Sequence, residues 1–160
     1  MKTLIRTAVW LSLIIWLGGM FFFVVTAWAS FSTVPDTHVA GTIVAKCLHV
    51  LHHEGLVAGC IILAFLAIGR ARGVYLRGVK TAIAVLVIMM GLTAFSEYWI
   101  IPHMERDRMA VGGAIDSVPS SDPHHADFNR LHRVSEHMET AAMIGGLILV
   151  VILSLEHDRD

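Results

Sequence analysis

The apolar positions of this 160-residue chain gather into four long stretches separated by three shorter, more polar connections. A membrane span needs about 20 mostly apolar residues, and the pattern predicts spans over approximately 4–31, 37–69, 79–101 and 123–155. The breaks between them carry recognisable punctuation. Pro35 and Asp36 stand in the first connection, where Asp36 or Thr37 can cap the second helix. Pro102 is expected to end the third helix, because proline disfavours the α conformation in the residue before it. The connection from His103 to Ser121 contains Gly112, Gly113 and Pro119 and should be partly irregular. Asp122-Pro123 reads as an N-cap followed by proline at the first helical position. The expected fold is all-α: a four-helix transmembrane bundle forming a single integral membrane domain over residues 1–160. Its fourth helix should be the longest and extend beyond the membrane on the outer side.

Composition supports the membrane class, with 56% hydrophobic and 16% charged residues and a mean hydropathy of +0.68. The spans use up the length and leave no room for a separate soluble domain. A net charge of −1 argues against nucleic acid as a partner, and the lipid bilayer is the partner expected. Arg70, Arg72, Arg77 and Lys80 fill the second connection, and Lys2 and Arg6 precede the first span. By the positive-inside rule both termini are cytoplasmic. Lys2 and Arg6 before an apolar run ending Ala27-Trp28-Ala29 also resemble a cleavable signal. The run from Thr7 to Ala29 exceeds the roughly 7–15 residues of a signal core, so it is read as the first span. Gly18-Gly19 marks a place for close helix approach, and Trp28 an interfacial anchor. Cys47 and Cys60 fall on one predicted helix, roughly 20 Å apart along its axis. They cannot pair and are read as small buried residues.

The candidate chemistry lies at one end of the bundle. His38, His49, His52, His53, His103, His124, His125, His132 and His137 all map to the outer half, and only His157 does not. Counted at 1.5 Å per residue from the cytoplasmic ends, Glu54 rises roughly 21 Å, and Glu97 and Glu139 roughly 24 Å. Three helices therefore each bring a carboxylate to nearly one level. Helical spacing groups Lys46, His49, His53 and Cys60 on helix two, with His52 and Glu54 off that stripe on opposite sides. Thr93, Ser96, Glu97, Ile100 and Met104 group on helix three. Phe128, His132, Ser135, Glu139, Met143 and Gly146 group on helix four. His49 and His53 form an i, i+4 pair of the kind that holds one metal ion. The metal-ligand candidates are His49, His53 and His132, and the supporting polar layer is Glu54, Glu97, Ser135 and Glu139. With Met20, Met104 and Met138 the histidines would suit copper; alone they would suit zinc or haem b. His124 and His125 read as solvated residues at the start of helix four. The competing reading is a hydrogen-bonded plug in which carboxylates, histidines and Lys46 hold the helices in register.

Enzymatic constellations are missing. The chain has no HExxH, P-loop or dinucleotide fingerprint and no Glu-x-x-His pair of the di-iron type. Ser135 stands one turn from His132 and Glu139, but one helix is poor geometry for a hydrolytic triad. No catalytic residue is assigned.

Three blocks resemble a known family: Trp16-Leu17-Gly18-Gly19-Met20-Phe21-Phe22, Ile100-Ile101-Pro102 through Met104, and Phe128 through Ser135. Together they are similar to the four-span bacterial membrane proteins called domain of unknown function 4149, relatives of transmembrane protein 205. The last block looks like that family's F-x-x-L-H-x-x-S signature, which places its histidine and serine at His132 and Ser135. The Ile115–Pro119 stretch and Asp122-Pro123 also resemble bacterial members. In layout the family is similar to CopD-like copper-resistance proteins and to a haem-binding protoporphyrinogen oxidase group, which implies copper or haem by fold-level analogy only. The first functional expectation is an outward-facing His/Glu site for a metal ion, haem or a proton. The second is a non-catalytic accessory subunit of a larger membrane complex, with the polar layer structural. The third is an oxidoreductase acting through bound haem.

Overall fold

The computed structural model describes residues 1–75 and 78–157, so Arg77, counted among the loop cations, lies outside the described residues. The chain folds into helices α1 (Lys2–Thr33), α2 (Thr37–Ala71), α3 (Val79–Phe95), α4 (Ile101–Ala110) and α5 (Pro123–His157), with no strand among the described residues. A π-helical turn, Ser96–Ile100, joins α3 to α4, and the three run on as one helix, Val79–Ala110. This gives four helices long and apolar enough to cross a membrane. Helices suit that environment because every backbone polar group is satisfied within its own segment.

The starts of α2 and α5 follow the expected capping chemistry. Asp36 Oδ1 accepts from the backbone N–H of His38 at 2.9 Å and of Val39 at 3.2 Å. Asp122 Oδ1 accepts from His124 N–H at 2.9 Å and His125 N–H at 3.4 Å. Asp36→Ala should cost about 1 kcal/mol, read as a lower unfolding midpoint in detergent with unchanged helix content. At the other end of α2, Gly73 takes the left-handed conformation (φ 66°) and lets the chain turn back towards α3.

The helices pack in a ring: α1 on α2, α2 on α3, α3 on α5, and α5 back on α1. One end of the bundle brings together the start of α1 and the α2–α3 connection, where Gly69 meets Tyr75 and Ile5. The opposite end collects the histidines other than His157. There Thr37 donates to Asp116 at 3.0 Å, Arg108 to Thr42 at 3.2 Å, and His124 Nδ1 lies 3.0 Å from Asp107. The core between the ends includes Val9, Leu13, Trp16, Ile62, Leu66, Leu86, Met89 and Leu149, all nearly fully buried. Leu11, Ile14, Phe22, Val25, Val87, Ile88 and Val151 point outwards and are exposed, as expected of side chains solvated by acyl chains.

Four details differ from the sequence expectation. The third helix passes through Pro102 instead of stopping there. The preceding π turn absorbs the missing proline N–H and the clash of its ring with the previous turn, and Ile101 N–H bonds back to Ser96 O. The last helix is not the longest, since α2 and α5 both have 35 residues. Of the glycine pair in α1, only Gly19 lies at a tight contact, against Leu51 and Glu54, while Gly18 faces open space. Cys60 is exposed and Cys47 half-buried, so neither is a buried packing residue.

Candidate functional site

The polar layer is organised around His52, an imidazole 1% exposed on α2. Its Nδ1 lies 2.8 Å from Glu97 Oε2, and its Nε2 hydrogen-bonds Glu139 Oε1. Three helical segments are thus joined through one ring: α2, the π turn and α5. Glu97 sits in the π turn, where the inserted residue re-aims the side chains that follow; such turns recur at functional sites. Beside the triad, the buried hydroxyls of Ser96 and Ser135 lie 3.3 Å apart. Thr93 Oγ1 is buried without a hydrogen-bond partner among the described residues.

Proton counting constrains this triad. Two hydrogen bonds linking one imidazole to two carboxyl groups require two protons. Either both are on the ring and both carboxylates are ionised, or the ring carries one and a carboxyl group the other. In both cases the triad holds one net negative charge in a region of low dielectric, where an uncompensated charge is costly. The free oxygen of Glu97, Oε1, is where compensation is available. His49 Nδ1 contacts it directly, and His53 Nδ1 lies 3.6 Å away. His49, His53 and Glu97 place one ligand atom each within 4.8 Å of one another. The imidazoles are 61% exposed at His49 and 48% at His53, and the carboxylate is buried. The ring centroids of His49 and His53 are 4.3 Å apart, and His53 Nδ1–H donates to the His49 carbonyl at 2.8 Å. That bond fixes the His53 ring and leaves its Nε2 lone pair free for an ion, the second-shell arrangement common for metal-bound histidines.

The expected residues divide as follows. His49, His53 and Glu97 come together, and Glu139 joins them through His52. Ser135 is buried beside Ser96 and has no hydrogen bond to a histidine among the described residues. Glu54 turns away towards Gly19 of α1. His132 stands apart on the exposed side of α5, 3.4 Å from Glu136 and ring-stacked with Phe128. The buried stripe of α5 runs through Leu131, Ser135, Ala142, Gly145, Gly146 and Leu149, so His132 falls one position past it. Lys46 is exposed, Met20 is in the core, and Met104 and Met138 are half-buried.

Sequence reasoning missed His52, and a usable signal was present. Leu51, Gly55, Ala58, Ile62, Leu66 and Gly69 are all buried on α2 at spacings of three and four. His52 and Gly59, seven residues apart, flank that stripe. Small residues mark the close-packed face of a membrane helix better than apolar ones do. Following them would have turned His52 inwards and Lys46 outwards.

No curated protein and no solved structure matches the chain. Residues 11–110, more than half of it, match the family described as Domain of unknown function (DUF4149). The matched stretch includes the Trp16–Phe22 and Ile100–Met104 blocks, and with them His49, His52, His53 and Glu97; it ends before the Phe128–Ser135 block and Glu139. An integral membrane protein of four apolar helices, the chain belongs to this family of unknown function.

Proposed function

We propose that this protein binds a divalent metal ion at the histidine end of its bundle, with His49, His53 and Glu97 as ligands. The observation that carries the reading is the convergence of the two imidazoles on the free oxygen of Glu97, whose other oxygen is held by buried His52. Ligating carboxylates are commonly fixed in this way by a second hydrogen bond. Two imidazoles and one carboxylate form a donor set suited to zinc or a similar borderline ion, and leave a fourth position open. The set lacks the sulfur ligands that copper(I) prefers. Haem b fits the residues less well: the buried imidazole, His52, has both ring nitrogens engaged by carboxylates.

The protein is a single-domain component of the bacterial cytoplasmic membrane with both termini inside. Arg70, Arg72 and Lys80 at the end opposite the histidines support that orientation. The ion site then faces outwards.

Metal analysis of protein purified in mild detergent without chelator tests the reading directly. Wild type should carry zinc, or take up one equivalent, and His49→Ala and His53→Ala should each lower the content to background. His132→Ala should retain it, because His132 lies on another face. A metal-free wild type that also fails to take up added zinc would replace this reading with a structural polar layer in an accessory subunit.

A further inference from the structure

Glu54 is the carboxylate that the ion site leaves over. It makes no hydrogen bond or ion pair among the described residues. Its two oxygens face α1, 3.3 and 3.5 Å from where a β-carbon on Gly19 would stand. It lines a groove of 510 Å³ between α1 and α2, along with Ser12, Ile15, Val50, Val57 and Ile61. That volume lies within the range of small-molecule pockets. The aliphatic walls face away from the bundle, with Ile15 55%, Val50 66%, Val57 61% and Ile61 39% exposed. In a bilayer such surfaces meet acyl chains, so the groove opens sideways into hydrocarbon with one unpaired carboxylate in its wall.

A carboxylate in that position is costly to hold and marks a functional site by default. A cation carrying its own apolar surface partitions into the bilayer, covers the aliphatic walls and pairs with the carboxylate, where hydrocarbon screens the attraction less than bulk water does. We propose that this groove binds a lipophilic cation, an ammonium or phosphonium charge on an apolar body, with Glu54 as its counter-ion. His49 and His53 line the same groove, so it shares a wall with the ion site. The proposal does not rest on a metal being bound there.

Equilibrium binding of tetraphenylphosphonium to the full-length protein in dodecyl maltoside tests it, with tetraphenylborate as a probe of the same shape and opposite charge. Wild type should bind the phosphonium saturably and fail to bind the borate. Glu54→Gln should weaken phosphonium binding by at least about tenfold, the loss of one poorly screened charge pair, while zinc content and unfolding midpoint stay unchanged. Val57→Trp, at an exposed position, should block binding by filling the groove. Absence of saturable binding to folded wild type, equal binding of the two probes, or unchanged affinity in both variants would overturn the proposal. So would displacement of the phosphonium by stoichiometric phosphatidylethanolamine, which would give the groove to a lipid headgroup.

Discussion

Glu97→Gln is expected to lower zinc affinity by about 100-fold or more while leaving the bundle folded; loss of a mere supporting partner already costs about 10–100-fold. The amide has the shape of the carboxylate and can still bond His52, but it removes the charge and the anionic oxygen on which His49 and His53 converge. Glu97→Ala should do more. Its side chain is only 3% exposed and contacts both His49 and His52, so truncation strands His52 beside Glu139 in the interior. Removing one member of a buried ionic group costs about 3–5 kcal/mol, enough to be seen as a large fall in unfolding midpoint. The two variants separate the roles of the layer. Competition titration with a zinc chelator reads the first, and unfolding in mixed micelles reads the second. Wild-type zinc affinity in folded Glu97→Gln would remove Glu97 from the ion site. Loss of stability in Glu97→Ala alone would then describe a plug that fastens three helical segments.

Gly55→Ala is expected to destabilise the protein by about 3 kcal/mol, the upper end of what overpacking costs. A β-carbon at Gly55 would stand 2.3 Å from Trp16 Nε1 and 2.7 Å from Trp16 Cε2. Trp16 is 1% exposed, and its rigid indole has nowhere to turn, so α1 and α2 must separate. At Gly146 the clash is with Leu17 side-chain carbons, and a leucine can change rotamer. Gly18→Ala and Gly91→Ala meet nothing within 4 Å and should be neutral or slightly stabilising, as alanine is the better helix former. Thermal unfolding of the set in one detergent gives the ranking. A Gly55→Ala midpoint equal to that of Gly18→Ala would mean that the Trp16–Gly55 contact does not set the spacing of these helices. Because Gly55 lies three residues from His52 on the same face, the variant should also loosen Glu97 and weaken zinc binding.

Much of the fold is legible in the sequence alone. Runs of apolar residues too long for anything but spans located the four helices, and Asp36 and Asp122 marked two of their starts through ordinary capping chemistry. The level of the polar layer was also legible, because helix rise is fixed at about 1.5 Å per residue. Height along a helix therefore follows from counting, and Glu97 and Glu139 were placed together on that basis. Of the stripe Thr93, Ser96, Glu97, Ile100 and Met104 on the third helix, the first four are buried and Met104 is half-buried, since polar residues in an otherwise apolar helix turn towards the bundle.

Rotation was the part that could not be counted. His53 and His49 were grouped correctly with each other, but His52 was placed off the working face, and His132 was placed on it. In water an amphipathic pattern would have distinguished the two sides of each helix. In a bilayer the core-facing and lipid-facing surfaces are both apolar, so that pattern fades, and rotation is set by packing against neighbouring helices. The π turn at Ser96–Ile100 is likewise invisible to periodicity, because Pro102 signals a disturbance without saying whether the helix ends or widens. The sequence by itself determined the membrane class, the number of spans and the level of the histidine and carboxylate layer along the bundle, because hydropathy and helix rise are local properties. Only the tertiary structure decided that His52 joins Glu97 to Glu139, that His49 and His53 meet the free oxygen, and that Glu54 faces a groove with no hydrogen-bond or ion-pair partner among the described residues. Those are matters of which side of a helix meets which neighbour, and in a membrane the close packing of small residues such as Gly55 against Trp16 settles them.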